Sequence, residues 1–450
     1  MKLGAWVLLF LVALSGGFEG ALGGGSATAA TATGPPRNVI LFIGDGMGVA
    51  VVTAARIHKG ALEGLAIPAQ GLLIMDGAPR GALVHTSSAD NLVTDSAAGI
   101  TALATGHKVA NAFLSAMARA DGGVDTLLTL LELAEAQGLA TGIVTTTRIT
   151  HATPAGLYAH EVSRYSEESI AAALVPGRGN PRLRDGVEVI LGGGYANFLP
   201  TNAVVNGAAG RRADGRNLPS EMADAGYSLV RSGAELDAAV AAGASRVLGL
   251  FAPSHMSYVL DRERTVSQEP SLPQMTRAAI QVLSQNPEGF FLLVEGGKID
   301  HALHEKNAAR AVAETIEFDA AIGEALRLDP EETVVLVTAD HDHTMVLAGG
   351  APASGDVFAE AGKDRNGVPY TVLLFATGAG GDQPPPTLTP QLLGSPEFHE
   401  RGGVPTGGET HGGMDVPLFF WGPPALRDAF GASIDNTEVF RILARAIRGE

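Results

Sequence analysis

The stretch Glu295-Gly-Gly-Lys-Ile-Asp300-His-Ala-Leu-His304 places two carboxylates and two imidazoles within ten residues. Asp300 and His304 are four apart at the start of the Ala-rich helix that follows, so they can point the same way. With Glu295 at the end of a preceding apolar run, this is a metal-ligand arrangement. The plain alternative is a solvated helix start, where an Asp is favoured by the helix dipole. A second set is Ala339-Asp340-His341-Asp342-His343. Where a chain leaves a strand, adjacent Asp and His can present both side chains to one ion. Three further places hold chemistry-bearing side chains: Asp45 in a glycine turn, His151 with Thr153 two residues on, and Glu409-Thr-His411. Arg164 carries the planar fork that suits an oxyanion, although a surface ion pair is the ordinary use of such a residue. Asp95-Ser96 before a run of small residues reads as a helix N-terminus, with Ser96 either a capping hydroxyl or a nucleophile. No Gly-x-Ser-x-Gly elbow surrounds Ser96, so a hydrolase triad of that kind has no support.

The elements that must position these groups are legible as apolar runs. Continuous runs over 38–43, 140–147, 187–191, 245–251, 290–294, 333–338 and 416–421 read as buried strands. Spacing predicts helices over 124–137, 234–242, 273–286 and 307–326. Asp45, His151/Thr153, Glu295/Asp300 and Asp340/His341 each follow the end of such a strand. In open α/β sheets ligands bind outside the carboxyl ends of the strands. The expected fold is therefore α/β, three layers α/β/α with a central mostly parallel sheet and the site at the strands' C-terminal ends.

Composition narrows the chemistry. The chain has 450 residues, 46% apolar and 18% charged, with a net charge of −17. That is globular, and with no Lys/Arg run standing out it argues against a basic nucleic-acid-binding surface. An anionic substrate would need local positive charge, which bound metal can supply. There is no cysteine, so no disulfide, thiolate ligand or thiol nucleophile exists. Zn, Mg, Mn or Co suit the oxygen and imidazole ligands that remain. Residues 1–29 read as a signal peptide, with cleavage somewhere in 21–32 and an apolar core too short to span a membrane comfortably. Residues 30–36 read as a flexible leader. Residues 37–450 read as a single catalytic domain with a Gly/Pro-rich excursion at about 348–408, containing one short strand at 370–375. A secreted or periplasmic protein without stable membrane insertion is the expectation.

Taken in order, NVILFIGDGMG at 38–48, VTDSAAG at 93–99, THATPAGLYAHEVSR at 150–164, VEGGKIDHALH at 294–304, TADHDH at 338–343 and ETHGG at 409–413 resemble the alkaline phosphatase family. The resemblance covers about residues 37–445. It implies two Zn2+ and one Mg2+. The first zinc would be held by Asp300, His304 and His411, the second by Asp45, Asp340 and His341. Magnesium would lie at Asp45, Thr153 and Glu295. It further implies Ser96 as nucleophile through a phosphoserine, Arg164 as phosphate clamp, and His343 and Glu409 as supports. Substrates would be phosphate monoesters over a broad range, with inorganic phosphate as product, an alkaline optimum and a homodimeric enzyme by analogy. Some bacterial relatives have Asp and Lys where this chain has His151 and His301; animal enzymes have the His/His pair. Such a pair beside the third site suits Zn2+ or Co2+ as well as Mg2+. Phosphodiesterases, sulfatases and phosphoglycerate mutases share the superfamily, but a Ser beside Arg164 with a third metal site favours monoesters. A non-catalytic secreted phosphate- or metal-binding protein is the alternative outside enzymes, and Asp95-Ser96 in register with complete ligand sets argues against it.

Overall fold

The computed structural model describes residues 36–265, 267–380 and 386–450. The expected signal peptide at 1–29 and the leader up to residue 35 lie outside the described residues. A ten-stranded sheet forms the middle of the molecule. In chain order its strands are β1 (Asn38–Ile43), β2 (Arg80–His85), β3 (Ala140–Arg148), β4 (Val189–Gly193) and β5 (Ser228–Val230). They continue as β6 (Val247–Leu250), β7 (Phe290–Glu295), β8 (Thr333–Thr338), β9 (Val416–Trp421) and β10 (Ser433–Asp435). Across the sheet the order is β10-β2-β9-β8-β1-β7-β3-β4-β6-β5. Only β9 runs against the others.

Helices cover both faces. Val49–Leu62, Leu272–Leu283 and Ala308–Ala325 pack together in one layer; Ser96–Thr105, Leu130–Gln137 and Asn436–Arg448 pack together in the other. This is why β1, β7 and β8 are apolar without alternation: both faces of each strand are buried. The three-layer α/β/α fold with a mostly parallel sheet is therefore present.

Register brings the site together. The four strands β8, β1, β7 and β3 are immediate neighbours in the sheet. Ile43 pairs with both Glu295 and Thr338, and Glu295 pairs with Thr145. Their C-terminal ends are thus level, and Asp45, His151, Glu295 and Asp340 emerge at one edge.

Several elements differ from their sequence-based expectation. Residues 124–137 are not one helix. Val124–Thr126 is a strand paired with Ala116–Ala118, and only Leu130–Gln137 is helical. The boundary is a capping box: Thr129 accepts from the Glu132 N–H while the Glu132 carboxylate accepts from the Thr129 N–H. Asp300 and His304 do not begin the long helix. They lie on a short helix of their own, Lys298–His304. Lys306 then turns left-handed at φ 54°, and the Asn307 side chain caps Ala308–Ala325 by accepting from the Arg310 N–H. The single strand expected over 370–375 is two, Pro369–Thr371 and Leu373–Thr377, in separate small sheets. Among the described residues no helix is long and apolar enough to cross a membrane.

Candidate metal centre

Ser96 opens the Ser96–Thr105 helix, but it does not cap it. The cap is Asp95, whose Oδ1 accepts from the Ala98 N–H at 3.0 Å. The Ser96 hydroxyl is therefore free of the helix end. It sits buried, 3.4 Å from Asp45 Oδ1 and 3.2 Å from His341 Nε2.

Three groups of ligand-type atoms surround it. In the first, Asp300 Oδ1 lies 3.3 Å from His304 Nε2 and 3.5 Å from His411 Nε2, and the two ring nitrogens are 3.1 Å apart. His411 arrives from a distant part of the chain because its short strand pairs with Asp342–His343. In the second, His341 Nε2 lies 3.2 Å from Asp45 Oδ1 and 3.6 Å from Asp340 Oδ2. In the third, Asp45 Oδ2 is 3.5 Å from Thr153 Oγ1 and 3.9 Å from His151 Nδ1, which is 4.0 Å from Glu295 Oε1. Asp45 thus turns one oxygen to the second group and the other to the third. The turn that presents it needs Gly46, at φ 69°, where a Cβ would stand 2.4 Å from the His343 ring.

The tautomers of the first two groups follow from their outer partners. Nδ1 of His304 meets the Glu409 carbonyl at 2.8 Å, Nδ1 of His411 the Thr94 carbonyl at 2.9 Å, and Nδ1 of His341 the Asp342 carbonyl at 3.2 Å. A carbonyl only accepts, so each Nδ1 carries the hydrogen and each Nε2 turns a lone pair inward. Burial holds the His304 and His411 rings below their usual range, which keeps them neutral. Lone pairs then face lone pairs and carboxylate oxygens at little more than 3 Å. Such an array is repulsive unless cations lie within it.

The carboxylates make the same demand. Asp340 Oδ1 accepts from the Gly46 and His341 N–H groups, while Oδ2 has no partner. Glu295 Oε2 accepts from Thr145 and Thr147, while Oε1 has none. Burial, then the charge of Asp45, raises both far above the usual carboxylate range. Buried anions without partners are costly, and a metal ion is the partner that an oxygen and imidazole set without thiolate accepts. The residues fit divalent ions.

His343 behaves differently. It donates from Nε2 to Asp300 Oδ1 at 2.7 Å and from Nδ1 to Glu409 Oε2 at 2.5 Å. Burial would lower its pKa, but these two carboxylates push it up to about 10. As an imidazolium it orients Asp300; burial works against that carboxylate's ionisation, yet the hydrogen bond from His343 holds it well below the usual range.

Arg164 donates to Asp95 Oδ2 and to His151 Nε2, each at 3.1 Å. Asp95 therefore both caps the Ser96 helix and aims the guanidinium. Because Arg164 only donates, His151 accepts at Nε2, and its Nδ1–H points toward Glu295 and Asp45 without a hydrogen-bond partner. Ser96, His151, Arg164, Asp300, His301, His304 and His411 line one cavity of about 360 Å3. Its far side holds a residue that carries no motif in the sequence. The ring of His255 lies 4.1 Å from that of His301 and 5.4 Å from that of His151. Its one sequence signal is position, a few residues beyond the end of β6, as for the other site groups.

The comparisons with known proteins agree with this chemistry. A family model for alkaline phosphatase matches residues 36–448. The chain is 38% identical over 424 residues to the tissue-nonspecific isozyme of alkaline phosphatase from Gallus gallus, covering 86% of this chain and 80% of that one. It is 36% identical over 422 residues to an alkaline phosphatase from Gadus morhua, covering 86% and 87%. Among solved structures, alkaline phosphatase from Thermus thermophilus aligns with a TM-score of 0.69 at 26% identity, covering 96% of each chain. The enzyme from the Antarctic bacterium TAB5 gives 0.66 at 25%, covering 93% and 99%. A histidine-to-aspartate mutant of that TAB5 enzyme has Mg bound in its M3 site. The chain belongs to the alkaline phosphatase family and is an enzyme, a metal-binding hydrolase of phosphate monoesters.

Proposed function

We propose that the enzyme hydrolyses phosphate monoesters through a phosphoserine at Ser96. The observation that carries this reading is the freed hydroxyl: Asp95 takes the capping role, and Ser96 Oγ is left 3.2–3.4 Å from two ligand-type atoms of the second group. Asp300, His304 and His411 would hold one Zn2+, and Asp45, Asp340 and His341 another. Asp45, Thr153 and Glu295 would hold Mg2+, with Zn2+ or Co2+ as substitutes. Bound there, the ions supply Lewis acidity, lowering the pKa of nearby hydroxyls and offsetting charge on the reacting oxygens.

The chain's own groups do the rest. Ser96 Oγ loses its proton to solvent and attacks phosphorus; the bond to the leaving oxygen breaks, and that oxygen takes a proton from water. Water then attacks the phosphoserine, releasing inorganic phosphate and restoring the hydroxyl. Arg164, aimed by Asp95, donates to the equatorial phosphoryl oxygens, whose charge grows in the transition state. His151 and His301 stand beside the third group and the cavity wall as neutral imidazoles, orienting water rather than binding metal directly. Rising pH favours the Ser96 alkoxide, so an alkaline optimum is expected. Recognition centred on the phosphoryl group implies a broad range of monoesters. A homodimer, secreted or periplasmic, completes the reading by analogy with the family.

Rapid acid quench with labelled substrate tests it. Label should be trapped on Ser96. Turnover with no label on Ser96 would remove the covalent step.

A further inference from the structure

The cavity continues past the phosphoryl position. Beyond Ser96 and Arg164 it is lined by Arg148, Thr150, Tyr165, Glu167 and His255. In this outer wall the polar groups are already paired with one another. Arg148 donates from Nε and Nη2 to the two oxygens of Glu167, each at 3.0 Å, and from Nη1 to His255 Nε2. Glu167 also accepts from Thr150 Oγ1 at 2.6 Å and from Asn197. Burial holds the His255 ring far below the usual imidazole range, so it is neutral. The wall thus offers a closed ion pair, two mutually perpendicular imidazoles, His255 and His301, and one free aromatic ring. That ring is Tyr165, adjacent in sequence to Arg164 and 80% exposed. An aromatic side chain so exposed at a cavity mouth has nothing of its own fold to pack against.

We propose that Tyr165, with the His255 wall of the same cavity, forms a leaving-group subsite that favours planar aromatic alcohols, such as aryl or nucleoside groups, over small polar ones. The inference rests on the monoester reading above. The physical reason is that a wall whose charges, Arg148 and Glu167, are already spent on each other gains little from a polyol, which would give up water for few replacement hydrogen bonds. A flat apolar ring gains contact area and stacking on Tyr165. The cavity, at about 360 Å3, is in the range of small-molecule sites.

The test compares kcat/KM for p-nitrophenyl phosphate and for glycerol 2-phosphate in wild type, Tyr165→Ala and Tyr165→Phe. Tyr165→Ala should lower the aryl-to-alkyl ratio about fivefold, mostly through KM for the aryl ester. Tyr165→Phe should keep the ratio, because the ring and not the hydroxyl is at work. Tyr165 is exposed, so neither change threatens folding. An unchanged ratio in Tyr165→Ala, or equal losses on both esters, overturns the subsite. Absence of turnover on both esters in the zinc- and magnesium-loaded wild type would instead overturn the monoester reading.

Discussion

The two walls of the site are built on opposite terms. On the wall formed by the ends of β8, β1, β7 and β3, Asp340 Oδ2, Glu295 Oε1 and His151 Nδ1 are buried without partners. On the wall formed by Arg148, Thr150, Glu167 and His255, the principal polar groups are satisfied by each other. Both are rich in titratable groups, so composition does not separate them. The difference lies in direction. The first wall, the His151 Nδ1–H excepted, turns acceptors toward acceptors, which costs stability until cations arrive. The second turns donors toward acceptors and is complete as folded. On the proposed reading, the wall left unfinished by the protein is where ions and reacting atoms would belong, and the finished wall is the one that would recognise by shape.

Removing metal should break this contrast most severely. Chelation is expected to reduce phosphatase activity to background and to lower the melting temperature, because the first wall is left with facing lone pairs and unpaired carboxylates. Zinc with magnesium should restore both, read by turnover and by a thermal melt. Persistent turnover in protein shown metal-free by elemental analysis would remove the metal-dependent mechanism. Ser96→Ala comes next. Activity should fall roughly 10^4-fold or more, while zinc content and melting temperature stay near wild type. On the proposed reading the hydroxyl serves the chemistry, whereas the helix cap belongs to Asp95.

His151→Asp probes the first wall more gently. The imidazole brings no negative charge to a group of oxygens that would suit magnesium, and its Nδ1–H points toward Glu295 Oε1 across 4.0 Å. A carboxylate there would add charge and accept from magnesium-bound water. Half-saturation by magnesium, read as initial rate after dialysis, should tighten by about ten- to a hundredfold in the variant. Wild type should be activated by added magnesium or cobalt. Equal half-saturation in the two proteins would show that His151 does not tune the third group.

The first wall was far more legible in the sequence than the second, for a physical reason. Asp45 and Asp340 follow, and Glu295 ends, strands buried almost throughout, whose continuous apolar runs announce both the strand and its end. Asp300 and His304 share a face at helical spacing. His255 has neither a ligand at a helpful spacing nor a charged neighbour, so only its distance from β6 distinguishes it. The division of labour between Asp95 and Ser96 was also hidden. Both residues are good caps, and only the observed 3.0 Å bond from Ala98 to Asp95 decides between them. The break at Lys306 escaped for a similar reason: no Gly or Pro stands there, and a lysine at φ 54° is tolerated because Asn307 caps the next helix.

Glu167→Gln tests the second wall and should have the smallest effect. Glu167 accepts two hydrogen bonds from Arg148, one from Thr150 and one from Asn197, so all its acceptor capacity is turned inward. An amide keeps the shape but replaces one oxygen by NH2, which would face the Arg148 guanidinium as donor against donor. It also leaves that guanidinium, mostly shielded from solvent, without its counter-charge. The loss should be about 1–3 kcal/mol of stability, a fall of a few degrees in melting temperature for a chain of this size. Zinc and magnesium affinity should stay at wild-type values, since no atom of Glu167 reaches the three ligand groups. A variant that melts normally but loses metal would show that the outer wall is coupled to the centre, and that the two walls are one network.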